Sequence, residues 1–210
     1  MVLPVRRATF SNSADCAVRF GSACRASKIS DLVLTCWARV LARVPDATWI
    51  LKGRGVDSAR MRARIEVAMR TTGVDPGRIE LRRWLPGLAE HHGFFAEVDV
   101  VGDSYPYAGT TTTCEALGSG VPVVSLVGEP HVARVGASLL GAAGLSDLAV
   151  STTDAYVDTL VALANDEPRR RALRATLRPR LERSPLGDAE SFGARFGAAL
   201  DSMWSRGPAR

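Results

Sequence analysis

The chain has 210 residues, 46% of them hydrophobic and 23% charged, which is enough apolar material for one sizeable core and too much for a disordered segment. Its formal net charge of +5 is spread over arginines such as Arg39, Arg43, Arg60, Arg62, Arg64 and Arg70, which fall on amphipathic segments without interleaved aromatics and argue against a nucleic-acid partner. The cysteines Cys16, Cys24, Cys36 and Cys114 form no C-x-x-C pair and have no histidine at ligand spacing. Neither a metal site nor a disulfide framework is expected, and no apolar run approaches the roughly 20 residues a membrane span requires. Reduced thiols, a cytoplasmic location and no membrane partner are the expectation.

Residues 1–16 lack apolar periodicity and read as an irregular lead-in. A short apolar run over 17–22 predicts a strand, and 29–45 carries apolar residues at helical spacing, with Ser30 as N-cap and Pro45 as the stop. The pattern repeats. Strand signals over 47–53, 78–85, 97–103, 121–126 and 148–151 alternate with helix signals over 58–73, 111–120 and 131–144. Beyond Ser151 only helices are expected, over 153–168, 169–184 and 188–204. Strands alternating with helices imply right-handed crossovers and a parallel sheet, whose ligands sit outside the carboxyl ends of the strands. The chain is therefore expected to fold as an α/β, Rossmann-like doubly wound lobe over 17–150, with trailing helices over 151–210 packed on it.

The segment GDSYPYAGTTTTCEALGSG holds the most chemistry. A strand ends at Asp103, a loop containing Pro106 and Gly109 follows, and threonines open a helix. The first turn of a helix presents unpaired N–H groups and about half a positive charge, so threonine hydroxyls beside it make an anion site. A structural reading competes: Thr112 as N-cap and Glu115, three residues on, completing a capping box. Glu115 is equally suited to accept hydrogen bonds from ribose hydroxyls. Trp37, Trp49, Trp84 and Trp204 show no stacking-platform spacing and read as core or domain-edge packing.

This segment, together with FGSACRASKISD, WARVLARVPDATWILKG and GEPHVARVGASLL, resembles the C-terminal catalytic lobe of the O-linked N-acetylglucosamine transferase family, SPINDLY-like enzymes of the GT-B fold. The resemblance covers almost all of the chain after Arg19 and implies metal-independent, inverting transfer of GlcNAc from the donor substrate UDP-GlcNAc to protein Ser or Thr hydroxyls, without a cofactor. It implies that Lys28 binds the diphosphate and stabilises departing UDP, with Arg25 beside it where the family has Asn or Gln. Thr110, Thr111 and Thr112 fall on the family's phosphate loop, Thr110 standing where some members have histidine. Glu115 falls on the acidic ribose-binding position, Tyr107 on the loop bordering the sugar, and His91, or its neighbour His92, on a histidine that stacks on uracil. His131 and Arg134 open a helix near the expected donor. The resemblance begins at the second lobe, so the expected partners are a UDP-sugar, a protein acceptor and a separate N-terminal lobe or partner chain. The alternative is a catalytically inactive nucleotide-sugar-binding or regulatory module.

Overall fold

A computed structural model describes residues 17–84 and 87–207. Six parallel strands form one sheet: β1 (Arg19–Ala23), β2 (Thr48–Gly53), β3 (Ile79–Arg83), β4 (Val100–Gly102), β5 (Val123–Leu126) and β6 (Ala149–Val150). They lie in the order β3-β2-β1-β4-β5-β6, so the chain builds outward from β1 on one side, then returns to pair β4 against β1 and builds outward on the other. Strand order reverses between β1 and β4. The loops leaving those two strands diverge to opposite faces of the sheet and open a crevice at its carboxyl edge.

The helices follow local sequence signals. Helix α1 (Asp31–Arg43) starts where the Ser30 hydroxyl accepts from the Val33 N–H, and α2 (Ala59–Arg70) starts where Ser58 accepts from Met61. The strand expected over 78–85 ends at Arg83, and the following stretch contains α3 (Leu88–Glu97), which periodicity had not flagged. The remaining helices are α4 (Thr111–Gly118), α5 (Val135–Ala142), α6 (Thr153–Asn165), α7 (Glu167–Arg183) and α8 (Ala189–Ser205).

Trp37 of α1 and Trp49 of β2 are fully buried and stack with ring centroids 4.7 Å apart, while Phe20 of β1 stacks on Trp49 from 5.1 Å. Burying such rings supplies a large share of the hydrophobic stabilisation. Each buried indole N–H also has a partner. Trp49 Nε1 donates to the Ser22 hydroxyl at 3.2 Å, and Trp37 Nε1 donates to the Tyr156 hydroxyl at 3.1 Å. Tyr156, on α6, in turn donates to the Asp103 carbonyl at 2.9 Å, which ties the end of β4 to the core. Arg78 fixes the other side of the sheet by donating to the carbonyls of Leu41, Val44 and Ala47.

Of the trailing helices, α6 packs on α1 and β5, and α7, in which Leu173 and Leu177 are buried, packs on α4. Helix α8, expected to pack with them, buries none of its residues and leaves Phe192, Phe196, Leu200, Met203 and Trp204 exposed. Among the described residues no helix is long and apolar enough to cross a membrane.

Candidate functional site

Three strand ends meet at the reversal point. The chain leaving β1 passes through a single 3-10 turn (Ala26–Lys28) and is held against the end of β2 and the residue that follows it by two backbone bonds, Cys24 N–H to Lys52 O and Ala26 N–H to Arg54 O, both 3.0 Å. That approach is so close that a Cβ on Gly53 would lie 1.8 Å from the Cys24 carbonyl oxygen, so only glycine fits. On its other side the turn meets the loop after β4: Ile29 bridges Pro106, and the Ser30 N–H donates to the Tyr105 carbonyl.

Asp103 organises that loop. Its Oδ1 accepts from the Ser104 and Gly109 N–H groups and its Oδ2 from the Ser125 hydroxyl, each at 2.8 Å. The side chain is buried, and desolvation pushes its pKa up from 3.8 to about 6 against the opposing pull of these donors and of Lys28. Closing 103–109 on one carboxylate sets the position of the next residue, Thr110, at the start of α4.

Helix α4 begins at Thr111 with Thr110 as N-cap, and the Thr110 side chain makes no cap bond. Thr112 is therefore the second helical residue rather than the N-cap. Glu115 is five residues past the cap, beyond reach of a capping box, so the structural reading of that pair does not hold. The run of four threonines gave no apolar landmark to set the helix register. The first-turn N–H groups lack intrahelical acceptors, and the helix dipole makes this end positive.

The turn after β1, the ends of β2 and β3, and the start of α4 enclose a cleft of about 500 Å³. Arg25, Lys28, Tyr107, Thr110, Thr111 and Thr112 all line it. The Lys28 ammonium sits 4.0 Å from the Tyr107 ring centroid and donates to the Ala108 carbonyl at 3.5 Å, so the lysine is held at the cleft wall beside the threonines. Glu115 lies farther along α4 and is not among the lining residues. His91 falls within α3, and its side chain is outside the described residues. His131 and Arg134 open the segment leading into α5, away from the cleft lining.

Lys52 and Arg54, which carry no motif in the sequence, and Trp84 also line the cleft. Lys52 lies near the end of the buried run of β2, one residue before Gly53, and is 6% exposed, and the Arg54 guanidinium lies 4.2 Å from the Trp84 ring centroid. Charged residues closing a buried strand were the available signal. Trp84, read as packing, stands 38% exposed in the cleft wall. The described lining thus contains Arg25, Lys28, Lys52 and Arg54 and no carboxylate, which together with the α4 N-terminus suits a multiply charged anion. Cys24 also lines the cleft, but burial, reinforced by Asp103, pushes its thiol up to about 12 and keeps it a neutral, unreactive group.

A doubly wound parallel sheet with this cleft at its reversal point is the architecture of a Rossmann-like lobe of a GT-B glycosyltransferase. The whole lobe superposes on a point mutant of the Thermobaculum terrenum O-GlcNAc transferase with a TM-score of 0.84 and 34% identity, covering 96% of this chain and 38% of that one. The model for glycosyl transferase family 41 matches residues 2–196, and the chain belongs to that family. A relative from Solanum lycopersicum, described as a probable UDP-N-acetylglucosamine–peptide N-acetylglucosaminyltransferase SPINDLY, is 36% identical over 189 residues, which is 90% of this chain and 20% of the relative. The chain thus spans about a fifth of the length of that curated relative. The lipopolysaccharide glycosyltransferase WaaG shares the fold alone, with a TM-score of 0.65 at 15% identity, covering 93% of this chain and 54% of that one.

Proposed function

We propose that this lobe binds UDP-GlcNAc and supplies the donor half of a transfer of GlcNAc to protein Ser or Thr hydroxyls, completed by an acceptor-side lobe. The observation that carries the reading is the convergence of Lys28, Arg25 and the open first turn of α4 on one cleft at the strand-order reversal. In the transfer, the acceptor oxygen bonds to the anomeric carbon, the bond from that carbon to the β-phosphate oxygen breaks, and UDP leaves with the electron pair while the acceptor proton passes to a base. The negative charge that grows on the departing diphosphate is met by the Lys28 ammonium, the Arg25 guanidinium and the α4 N–H groups with their threonine hydroxyls. Donors fixed before the reaction stabilise developing charge without reorganising, which is where such sites gain most of their rate. In this reading no cofactor takes part, Tyr107 borders the sugar, and Glu115 and His91 serve the ribose and uracil.

We also place the protein in the cytoplasm, where Cys24, Cys36 and Cys114, each a free thiol here, stay reduced. The function is tested by titrating the 210-residue chain calorimetrically with UDP and with UDP-GlcNAc. Saturable 1:1 binding of both supports the reading, and absence of heat with either nucleotide contradicts it.

A further inference from the structure

Helix α8 carries an apolar face that the rest of the lobe leaves uncovered. Phe192, Phe196, Leu200 and Trp204 recur at every fourth residue with Met203 beside them, so all five lie on one side of the helix. Each is between 50% and 89% exposed. Phe192 and Phe196 already stack on each other, with ring centroids 5.9 Å apart, so little side-chain freedom is left to lose on docking. The turn before the helix is fixed by bonds from the Ser184 N–H to the Leu181 carbonyl and from the Gly187 N–H to the Ser184 carbonyl, and the Asp188 carboxylate caps α8 by accepting from the Ser191 N–H. Gly193 and Gly197 share the apolar side, and a Cβ on either would meet no described atom within 4 Å, which leaves room for a facing ring or helix.

The three aromatic rings alone offer on the order of 400 Å² of exposed surface, and Leu200 and Met203 extend it past the few hundred Å² that a monomer ordinarily shows in one patch. Two such faces laid together hide about 1,200 Å², the lower end of specific protein interfaces. The charges beside the stripe point to the partner. Glu190 and Asp201 are eleven residues apart, three turns of helix, and so share one edge; Arg195 and Arg206, also eleven apart, share the other. The polar back, about 140° wide, separates the two edges, and the apolar stripe lies between them on the front. Two acids balanced by two arginines do not suit an anionic lipid surface, which calls for an excess of basic residues on the polar face. They suit a second copy: with two α8 helices side by side in the same direction, the acidic edge of each runs along the arginine edge of the other, and Arg195 of one copy stands level between Glu190 and Asp201 of its mate.

We propose that the chain forms a two-fold homodimer in which α8 packs on α8 of a second copy, side by side and in the same direction, through Phe192, Phe196, Leu200, Met203 and Trp204. The interface is isologous, each copy presenting the same face, so it closes at two copies. The inference is independent of the donor-binding reading, since α8 takes no part in the cleft.

The test is sedimentation equilibrium of the 210-residue chain from about 1 to 100 µM, with thermal melts of every variant. The wild type should pass from monomer to dimer across that range, as an interface of this size forms with micromolar affinity at its weakest. Phe196→Asp, on an exposed position, should weaken association about ten-fold or more with an unaltered melt. Glu190→Arg with Asp201→Arg makes both edges basic, and Arg195→Glu with Arg206→Glu makes both acidic. Each double variant should associate less than the wild type, and an equimolar mixture of the two should regain the dimer. A wild type that stays monomeric at 100 µM overturns the proposal, whether the face is then covered by phospholipid vesicles or by an added acceptor-side lobe. A dimer unaffected by Phe196→Asp, double variants that pair as well as the wild type, or assemblies larger than two copies overturn it equally.

Discussion

Asp103 is a buried carboxylate whose replacement by asparagine changes charge and little else. Oδ1 alone accepts from both Ser104 and Gly109, and Oδ2 meets only the Ser125 hydroxyl. In Asp103→Asn the amide oxygen keeps the two backbone bonds and the amide nitrogen donates to Ser125 Oγ, which is free to accept once its own proton turns away. What disappears is the titration. Burial raises the native pKa from 3.8 to about 6. A raised carboxyl pKa means that the folded state binds the proton more tightly than the unfolded chain. Its contribution to stability is therefore fully present below pH 3.8 and is lost as pH rises through 6. A shift from 3.8 to about 6 corresponds to about 3 kcal/mol. Denaturant unfolding of both proteins at pH 4, 5, 6 and 7.5 should show the variant gaining on the wild type by on the order of 2–3 kcal/mol across that range. In melting temperature this is roughly 4–12 °C for a chain of this size. Other groups, such as the Arg82-paired Glu97, titrate alike in both proteins and cancel in the difference. Parallel stability profiles for the two proteins over pH 4–7.5 would refute the assignment of Asp103 as a desolvated carboxylate.

Two further substitutions probe the same corner of the fold. A Cβ on Gly136 of α5 would lie 2.0 Å from Ser125 Oγ and 3.0 Å from Asp103 Oδ2, so Gly136→Ala should destabilise the protein by about 1–3 kcal/mol in denaturant unfolding; an unaltered midpoint would mean that α5 does not press on this pair. Glu115→Gln should leave stability within about 0.5 kcal/mol, because Glu115 closes no capping box, and should weaken UDP binding if the carboxylate accepts from ribose. A fall in melting temperature with unaltered UDP affinity would assign Glu115 to the helix instead.

The alternation of apolar strands with amphipathic helices was legible in the sequence because both periods are written in side chains: Ser30 and Ser58 cap the helices they precede, and the Trp37–Trp49 core comes from residues read as packing. Helix α3 was not legible. It follows Pro86 and Gly87, carries Gly93 in its middle, and its buried pair Phe94 and Phe95 is adjacent rather than spaced at three or four. In the site, the threonines were legible as an anion site because they open a helix after a strand and a loop, Lys28 and Arg25 were found through their resemblance to a known motif, and Arg54 and Trp84 come together only because β2 and β3 are neighbours in the sheet. Such a pair has no spacing signature in the chain. The role of Asp103 was equally hidden, since a strand-ending aspartate discloses neither its burial nor its three donors.

The central claim is that Lys28 and the start of α4 hold a nucleotide diphosphate, and UDP titration of the wild type against Lys28→Ala tests it most directly. Lys28 is half-buried, with one long hydrogen bond to the Ala108 carbonyl and a ring contact to Tyr107, so its removal should leave the fold intact. Losing a charged hydrogen bond to phosphate costs about 1.5–3 kcal/mol, so UDP affinity should fall roughly ten-fold to more than a hundred-fold with an unaltered melt. A Lys28→Ala protein that folds normally and binds UDP as tightly as the wild type would contradict the account.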